Sequence, residues 1–536
     1  MTNQPIGIVG ETSSPTDVNV KALTPIPPGT YIHLRFRVRN LPTYEEIERE
    51  VVGIIGSCTY RSVVPILTPP DMSMRKEVTS LTNLKSESSM RAMIIADISN
   101  GRVESPRYPP PPETPVYLAQ IEHLKTLYSC GLESGIEIGS LVGFDKLRIR
   151  VNVNSLAKHL LITGTTGSGK SNLVAVLADR IAQIGGSVVI FDIHGEYVNL
   201  GSSDTKAVNV VVYDAAINPI EIPVSLLTGL IIPEAAALKQ RRLLKNALRG
   251  LNNEVREAAL KARKPYTLTV EEIYRERKNA EVNDPVEAYR ELLKEYLRSE
   301  GVKGKEKALS DVEDKVDDFF EWHRINLEVR KVSELLSNGK IVVVDVSTFT
   351  DEEKDCMLKL IAEDLLWYLK EGSKHGGGFT AIPTLLVVEE AHLFLGSESA
   401  TKSKEALQRF IREGRKFGGM LAIISQRPRA LDVNVVSQVQ NYSFLKLVQS
   451  SDKSTVMELT DVLSDEYVNL LPTLPPGHAI LMGEWVGKYP AYVKIDIHAG
   501  KKVGATPDIA GTWREGREKA IKSLEERALI SEWEGG

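Results

Sequence analysis

Eight consecutive positions, Gly164-Thr165-Thr166-Gly167-Ser168-Gly169-Lys170-Ser171, carry the spacing G-x-x-x-x-G-K-S. These residue types answer the chemistry of a triphosphate. Glycines let backbone N–H groups curl around an anionic phosphate, and a helix beginning directly behind them adds the positive end of its dipole. Lys170 then reaches the β- and γ-phosphates, and Ser171 offers its hydroxyl to a magnesium ion, with Asn172 opening the helix. All four fixed positions are filled, and the apolar run His159–Thr163 stands in front as a strand. The stretch is therefore expected to bind ATP with Mg2+, and a glycine-rich turn that binds nothing is the weaker reading.

The hydrolytic side lies further along. Thr384-Leu385-Leu386-Val387-Val388 runs apolar and ends in Glu389-Glu390-Ala391-His392. Acids at the carboxyl end of a strand sit where ligands bind in open α/β sheets. Glu389 is expected to hold the magnesium through water, and Glu390 to polarise the attacking water. The usual first acid in such motifs is Asp, so Glu389 reaches one methylene further. Gln426, directly after the run Met420–Ser425, suits a sensor of the γ-phosphate. Asp192, near the end of the run Val188–Ile193, is a candidate to face the phosphates, whereas His194 alone reads as a structural histidine. Four cations crowd the helix end Gln408–Gly418. A helix C-terminus stabilises cations by its dipole; the sharper reading is an arginine finger for a neighbouring subunit, Arg415 first and Arg412 in reserve.

Positioning these residues requires a particular set of elements. From about Val151, short apolar β-branched runs (160–163, 187–193, 208–213, 341–346, 385–388, 420–425) alternate with helical patterns at 172–184, 352–370 and 402–416. Runs without alternation suit strands buried on both faces, and the order describes a doubly wound α/β core. Before it, β-rich runs at 6–9, 31–36, 51–59, 92–98 and 116–121 predict a small barrel or sandwich, interrupted by a polar loop at 72–89 and a stiff Pro109–Pro112 spacer. A charged helical insertion is expected between the third and fourth core strands, a hairpin near 478–497, and an amphipathic tail helix after Gly500. The expected domains are 1–150, an N-terminal β-barrel; 151–233 and 339–499, the two parts of the ATPase core; 234–338, the insertion; and 500–536, a tail or brace.

Composition narrows the class. The 536 residues carry a net charge of −5, so any nucleic-acid contact must come from a local patch. No apolar run approaches the ~18 residues that span a bilayer, and no signal-peptide pattern opens the chain, so no membrane is expected and the location is read as cytoplasmic. Cys58, Cys130 and Cys356 are too scattered for a metal cluster or a disulfide framework.

The ordered set GTTGSGKSN (164–172), DIHGEY (192–197), VVEEAH (387–392), REGRKFG (412–418) and SQRP (425–428) resembles the HerA family, hexameric DNA translocases and helicases of the FtsK–HerA group. The resemblance implies a RecA-like P-loop core, a ring-shaped homohexamer threading DNA, and a NurA-type nuclease as partner in DNA end resection and double-strand break repair. It also implies a cis half-site of Lys170, Ser171, Glu389, Glu390 and Gln426, completed in trans by Arg415. One departure is Ile193, where the family pattern has Pro. Lys402, Lys404, Arg427 and Arg429 are candidate contacts to DNA phosphates. Stacking aromatics for single strands are not evident, which favours duplex DNA read without sequence preference. A nucleotide-dependent switch is the main alternative. No NKxD or LSGGQ motif supports a GTPase or an ABC ATPase, and the lack of a membrane segment counts against a secretion motor.

Overall fold

The computed structural model describes residues 4–22, 25–40, 43–62, 86–128, 135–200, 209–234, 236–281, 283–300, 306–373, 381–460, 465–487, 489–500, 510–511 and 513–517. The predicted loop at 72–89 lies outside them but for its last four residues, which begin a strand. Most of the predicted tail helix and Cys130 also lie outside.

Six antiparallel strands close the N-terminal barrel: β1 (Gly7–Ser13), β2 (Asp17–Ala22), β3 (Tyr31–Arg39), β4 (Glu46–Ser62), β5 (Ser86–Asp97) and β6 (Pro115–Leu118). Alternation explains the closure. Leu34, Phe36, Val51, Met90 and Ala92 point inward into one apolar cluster. Outside, Arg35, Arg37 and Arg39 of β3 face Glu50, Glu48 and Glu46 of β4 in register. Opposite charges across a strand pair favour that register and neutralise the barrel's most basic strand.

An eleven-stranded sheet follows, in the order β11-β12-β10-β13-β14-β9-β15-β16-β17-β7-β8. Its strands are β7 (Gly135–Leu141), β8 (Phe144–Asn152), β9 (Leu160–Thr163), β10 (Ser187–Asp192), β11 (Asn209–Asp214), β12 (Lys340–Asp345), β13 (Thr384–Val388), β14 (Gly419–Ser425), β15 (Asn441–Phe444), β16 (His478–Gly483) and β17 (Ala491–Ile495). The seven from β11 to β15 are parallel; the other four extend the sheet antiparallel. Here the structure corrects the expected boundary at residue 150. β7 lies outside the barrel and pairs with β17, and β8 pairs with β7, because the barrel is already closed while β17 offers an open edge.

The junction is made by helix α1 (Ile121–Tyr128) and a knot of buried tyrosines. The hydroxyls of Tyr31 and Tyr128 meet at 3.2 Å, Tyr128 and Tyr467 both donate to the Pro490 carbonyl, and the Tyr492 amide donates to Tyr31. Beside α1, the His33 and His123 rings stack at 3.9 Å next to Glu50. The Gln120 amide donates to His123 Nδ1, which leaves the ring proton on Nε2, facing that carboxylate.

Helix α2 (Lys170–Gln183) follows the phosphate loop. The insertion supplies α3 (Leu238–Ala262), α4 (Tyr266–Lys278), α5 (Pro285–Glu300) and α6 (Glu306–Trp322). These four share an apolar core of their own, including Leu248, Leu251, Tyr289 and Leu292, that also reaches Cys356 of α7 (Asp351–Ser373). Among the described residues no helix is long and apolar enough to cross a membrane.

Tyr128→Phe removes a buried hydroxyl at the barrel junction. We expect a loss of about 1–2 kcal/mol, read as a lowered unfolding midpoint and faster amide exchange in α1. Unchanged exchange there would show that the tyrosines do not hold the junction.

Candidate nucleotide site

Parallel strands aim their carboxyl ends at one edge of the sheet, and the sequence puts polar residues directly after three adjacent strands. β9 delivers Gly164 to Ser171, β14 delivers Gln426, and β13 delivers Glu389 and Glu390. The loop turns where glycine is required. Gly169 adopts φ 106° and lies so close to Gly477 that a Cβ would meet its backbone nitrogen at 3.0 Å. The Thr165 amide donates to the Lys446 carbonyl and the Gly477 amide to the Ser168 carbonyl, so the loop is braced from the β15 and β16 side.

Lys170 folds back on the loop, donating to the carbonyls of Gly164 and Thr165 at 3.0 and 3.1 Å. Burial lowers its pKa, against the pull of Glu390, Glu389 and Glu196. Asn172 is turned away from the loop, with its amide on the Asp496 carbonyl and its oxygen accepting from the His498 amide.

A continuous hydrogen-bonded chain joins the loop to the hydrolytic acid. The Thr166 hydroxyl donates to Gln426 Oε1 at 2.7 Å, and Gln426 Nε2 donates to Glu390 Oε1 at 2.5 Å. His392 Nδ1 approaches the other Glu390 oxygen at 3.3 Å. Glu390 also holds a φ of 40°, rare for a residue with a side chain.

The two neighbouring carboxylates are driven apart. Burial pushes the Glu389 pKa up to about 8, and Asp192, Glu196 and Glu390 add to that against the Tyr197 hydroxyl. Burial acts on Glu390 in the same direction, but His392, Gln426 and Lys170 outweigh it and its pKa is lowered. The surroundings thereby favour the ionised form of Glu390 and the protonated form of Glu389.

Two neighbours of Asp192 that sequence reasoning passed over complete the set. Glu196 accepts from the Ser171 hydroxyl at 2.5 Å, and the Tyr197 hydroxyl donates to Glu389 Oε1 at 2.8 Å. Their signal was the stretch Gly195-Glu196-Tyr197, which the resemblance includes without marking an acid that would meet Ser171, 25 positions earlier. Asp192 itself does not face the phosphates as expected. Its carboxylate accepts the amides of His194, Glu196 and Tyr197 and is fully buried; it shapes the turn that presents Glu196. Ser171 Oγ, Glu196 and Glu389, tied together through Tyr197 and its neighbour, offer oxygen ligands of the kind Mg2+ takes. Glu389 Oε2 and Ser168 Oγ are buried without any hydrogen-bond partner, which fits a site shaped around a metal and a phosphate.

The cations divide. Lys404 is tied to Asp432 at 2.9 Å and to the Gly396 carbonyl at 2.7 Å, an intramolecular bridge that occupies a candidate DNA contact. Lys402 reaches the Gly229 carbonyl at 3.4 Å. Arg427 and Arg429 are exposed at the carboxyl edge, beside buried Asp452.

Arg412 and Arg415 lie at the other edge. Helix α8 (Lys402–Arg409) continues through a π-turn at Phe410–Gly414 and a 3-10 turn at Arg415–Phe417, within the predicted 402–416, before β14 begins. β14 is seven residues long, so Arg415 stands roughly 20 Å from Gln426. It is exposed, and among the described residues neither it nor Arg412 has an ion-pair partner. Arg415 cannot reach its own subunit's phosphates.

Residues 136–365 match the family model described as helicase HerA, central domain. The DNA double-strand break repair helicase HerA of Saccharolobus solfataricus is 32% identical over 525 residues, 97% of this chain and 98% of that protein. The chain belongs to the HerA family. Its HerA relative from Sulfurisphaera tokodaii is also 32% identical, over 98% of this chain and 99% of its own length. Solved structures overlap more distantly. VirB4 of Thermoanaerobacter pseudethanolicus gives a TM-score of 0.46 at 17% identity, over 68% of this chain and 97% of that one. The plasmid coupling protein TrwB with ADP and Mg2+ gives 0.43 at 14%, over 69% and 95%.

A buried imidazole, His159, lies between this HerA chain's phosphate-loop strand and its Arg415 segment. Burial, reinforced by the Arg415 charge, outweighs the Ile411 carbonyl and lowers its pKa to about 4. The folded state then resists a proton that the unfolded chain accepts near pH 6.5. The stabilisation is present above about pH 6.5 and is lost as pH falls toward 4, in total about 3 kcal/mol. Urea unfolding at pH 7.5 and pH 4.5 is expected to show a smaller acid loss for His159→Gly than for the wild type. Equal losses would remove His159 from the acid response.

Proposed function

We propose that this chain is an ATP-dependent DNA translocase and helicase, a Mg2+-dependent ATPase acting as a homohexameric ring in the repair of DNA double-strand breaks. The observation that carries the reading is the continuous chain Thr166–Gln426–Glu390–His392, which links the phosphate loop to an ionised acid. In it Lys170 and the loop amides would bind the phosphates, and Ser171, Glu196 and Glu389 would hold the metal. Glu390 orients and polarises the attacking water, and Gln426 reports the γ-phosphate. A magnesium ion bound there would offset the charge of the triphosphate. Arg415 would complete the site from the adjacent subunit, since its own lies a strand's length away.

Duplex DNA, gripped through its phosphates, is the proposed track, with Arg427 and Arg429 as the contacts. These two arginines are exposed at the edge that carries the nucleotide site, whereas Lys404 is already bridged. A NurA-type nuclease is the proposed partner, on the strength of family membership alone.

Glu390→Gln keeps the hydrogen bond to Gln426 within reach but removes the base. It should bind ATP as the wild type does and turn it over at least ~100-fold more slowly; near-normal turnover would take the role from Glu390. Linear duplex DNA should stimulate ATP hydrolysis strongly in the wild type and not at all in Lys170→Ala. An ATPase indifferent to DNA, with and without the nuclease, would favour a nucleotide switch.

A further inference from the structure

His159 is held unusually tightly outside the nucleotide site. It carries a side chain at φ 60° and ψ 164°, a region that glycine alone occupies at ease. Such strain persists only where the surroundings hold it in place. Here they do so from four directions. The Asn441 side chain donates to the His159 carbonyl at 2.8 Å, and the His159 amide donates to Leu156. The Leu421 amide of β14 donates to Nδ1 at 3.2 Å, which fixes the neutral tautomer with its proton on Nε2. Nε2 then donates to the Ile411 carbonyl at 2.9 Å. The residue is 2% exposed.

The partner atoms explain the constraint. Ile411 lies inside the π-turn between α8 and Arg415, where the helix widens and its carbonyls lose their regular acceptor geometry. The imidazole N–H supplies a donor there from outside the helix. Arg412 follows Ile411 directly, and Arg415 comes one turn later. On its other side, His159 is followed at once by β9 and then Gly164; four residues, roughly 13 Å of strand, separate it from the phosphate loop.

We propose that His159 is a positioning residue that locks the arginine-bearing turn to the phosphate-loop strand, so that a subunit's finger and its own nucleotide loop move as one body. The strained backbone sets the imidazole between β9 and the π-turn, and the imidazole sets the direction of Arg415. A change at one subunit's phosphates is thereby carried to the arginine it lends its neighbour. The proposal rests on Arg415 acting in trans.

His159→Gly tests it, because glycine takes the observed backbone angles without strain and removes only the imidazole. The variant should assemble and bind ATP with an affinity within about twofold of the wild type, while kcat falls roughly tenfold or more. In mixed rings it should behave as a subunit with a good site and a misplaced finger. Lys170→Ala subunits, which keep their finger, should restore part of its turnover, and Arg415→Ala subunits should restore none. Arg415→Ala mixed with Lys170→Ala is the control. If that control recovers activity and His159→Gly does not, or if His159→Gly alone turns over normally, the positioning role is wrong. If the control itself shows no recovery, the trans finger fails, and the coupling falls with it. Should His159→Gly not assemble, His159→Asn, which tolerates a positive φ and whose amide ends near the position of Nδ1, short of the Ile411 carbonyl, is mixed in the same way and judged by the same outcomes.

Discussion

Parallel strands give a sheet two unlike edges, and everything else in this molecule depends on that polarity. The carboxyl edge gathers the phosphate loop, Gln426 and the two glutamates from three adjacent strands. The amino edge of β14 carries the exposed cations of the Arg415 turn. The seven residues of β14 keep the two sets apart, so the chain carries the phosphate loop and the glutamates at one end of the sheet and exposed arginines at the other. A chain with that polarity is suited to closed head-to-tail assembly, where each heterologous contact joins unlike edges.

Within the carboxyl edge, burial does the sorting. Glu389 and Glu390 are adjacent in sequence, yet their environments push their protonation in opposite directions. Glu389 sits among Asp192 and Glu196 with one oxygen unpartnered; Glu390 sits under His392 and Gln426. Glu390, at the end of the strand, adopts a positive φ, and its side chain meets partners different from those of Glu389. The pattern fits a division between holding a cation and polarising a water.

Much of this was legible in the sequence. Glycine spacing, unalternated apolar runs and strand-end acids gave the loop, the parallel core and the glutamate pair, because each reports a local requirement of backbone or burial. What escaped was set by long-range pairing. β7 and β8 alternate like barrel strands, and only the open edge of β17 draws them into the large sheet. Asp192 was read as facing the phosphates because it ends a central strand, but three backbone amides compete for its carboxylate and win. Lys404 reads in the sequence as a candidate DNA contact, but Asp432, 28 positions away, comes within 2.9 Å and ties it. His159 is an ordinary pre-strand residue in the sequence; its importance is visible only in its backbone angles and its three distant partners, Ile411, Leu421 and Asn441.

The claim that joins these features is that no subunit can finish its own active site. ATP turnover per subunit, followed as the protein is diluted through its assembly range while particle mass is monitored, tests it directly. The account predicts turnover that falls steeply as rings dissociate and reaches a floor in monomers, while nucleotide affinity persists. Turnover per subunit that stays constant down to the monomer would contradict it.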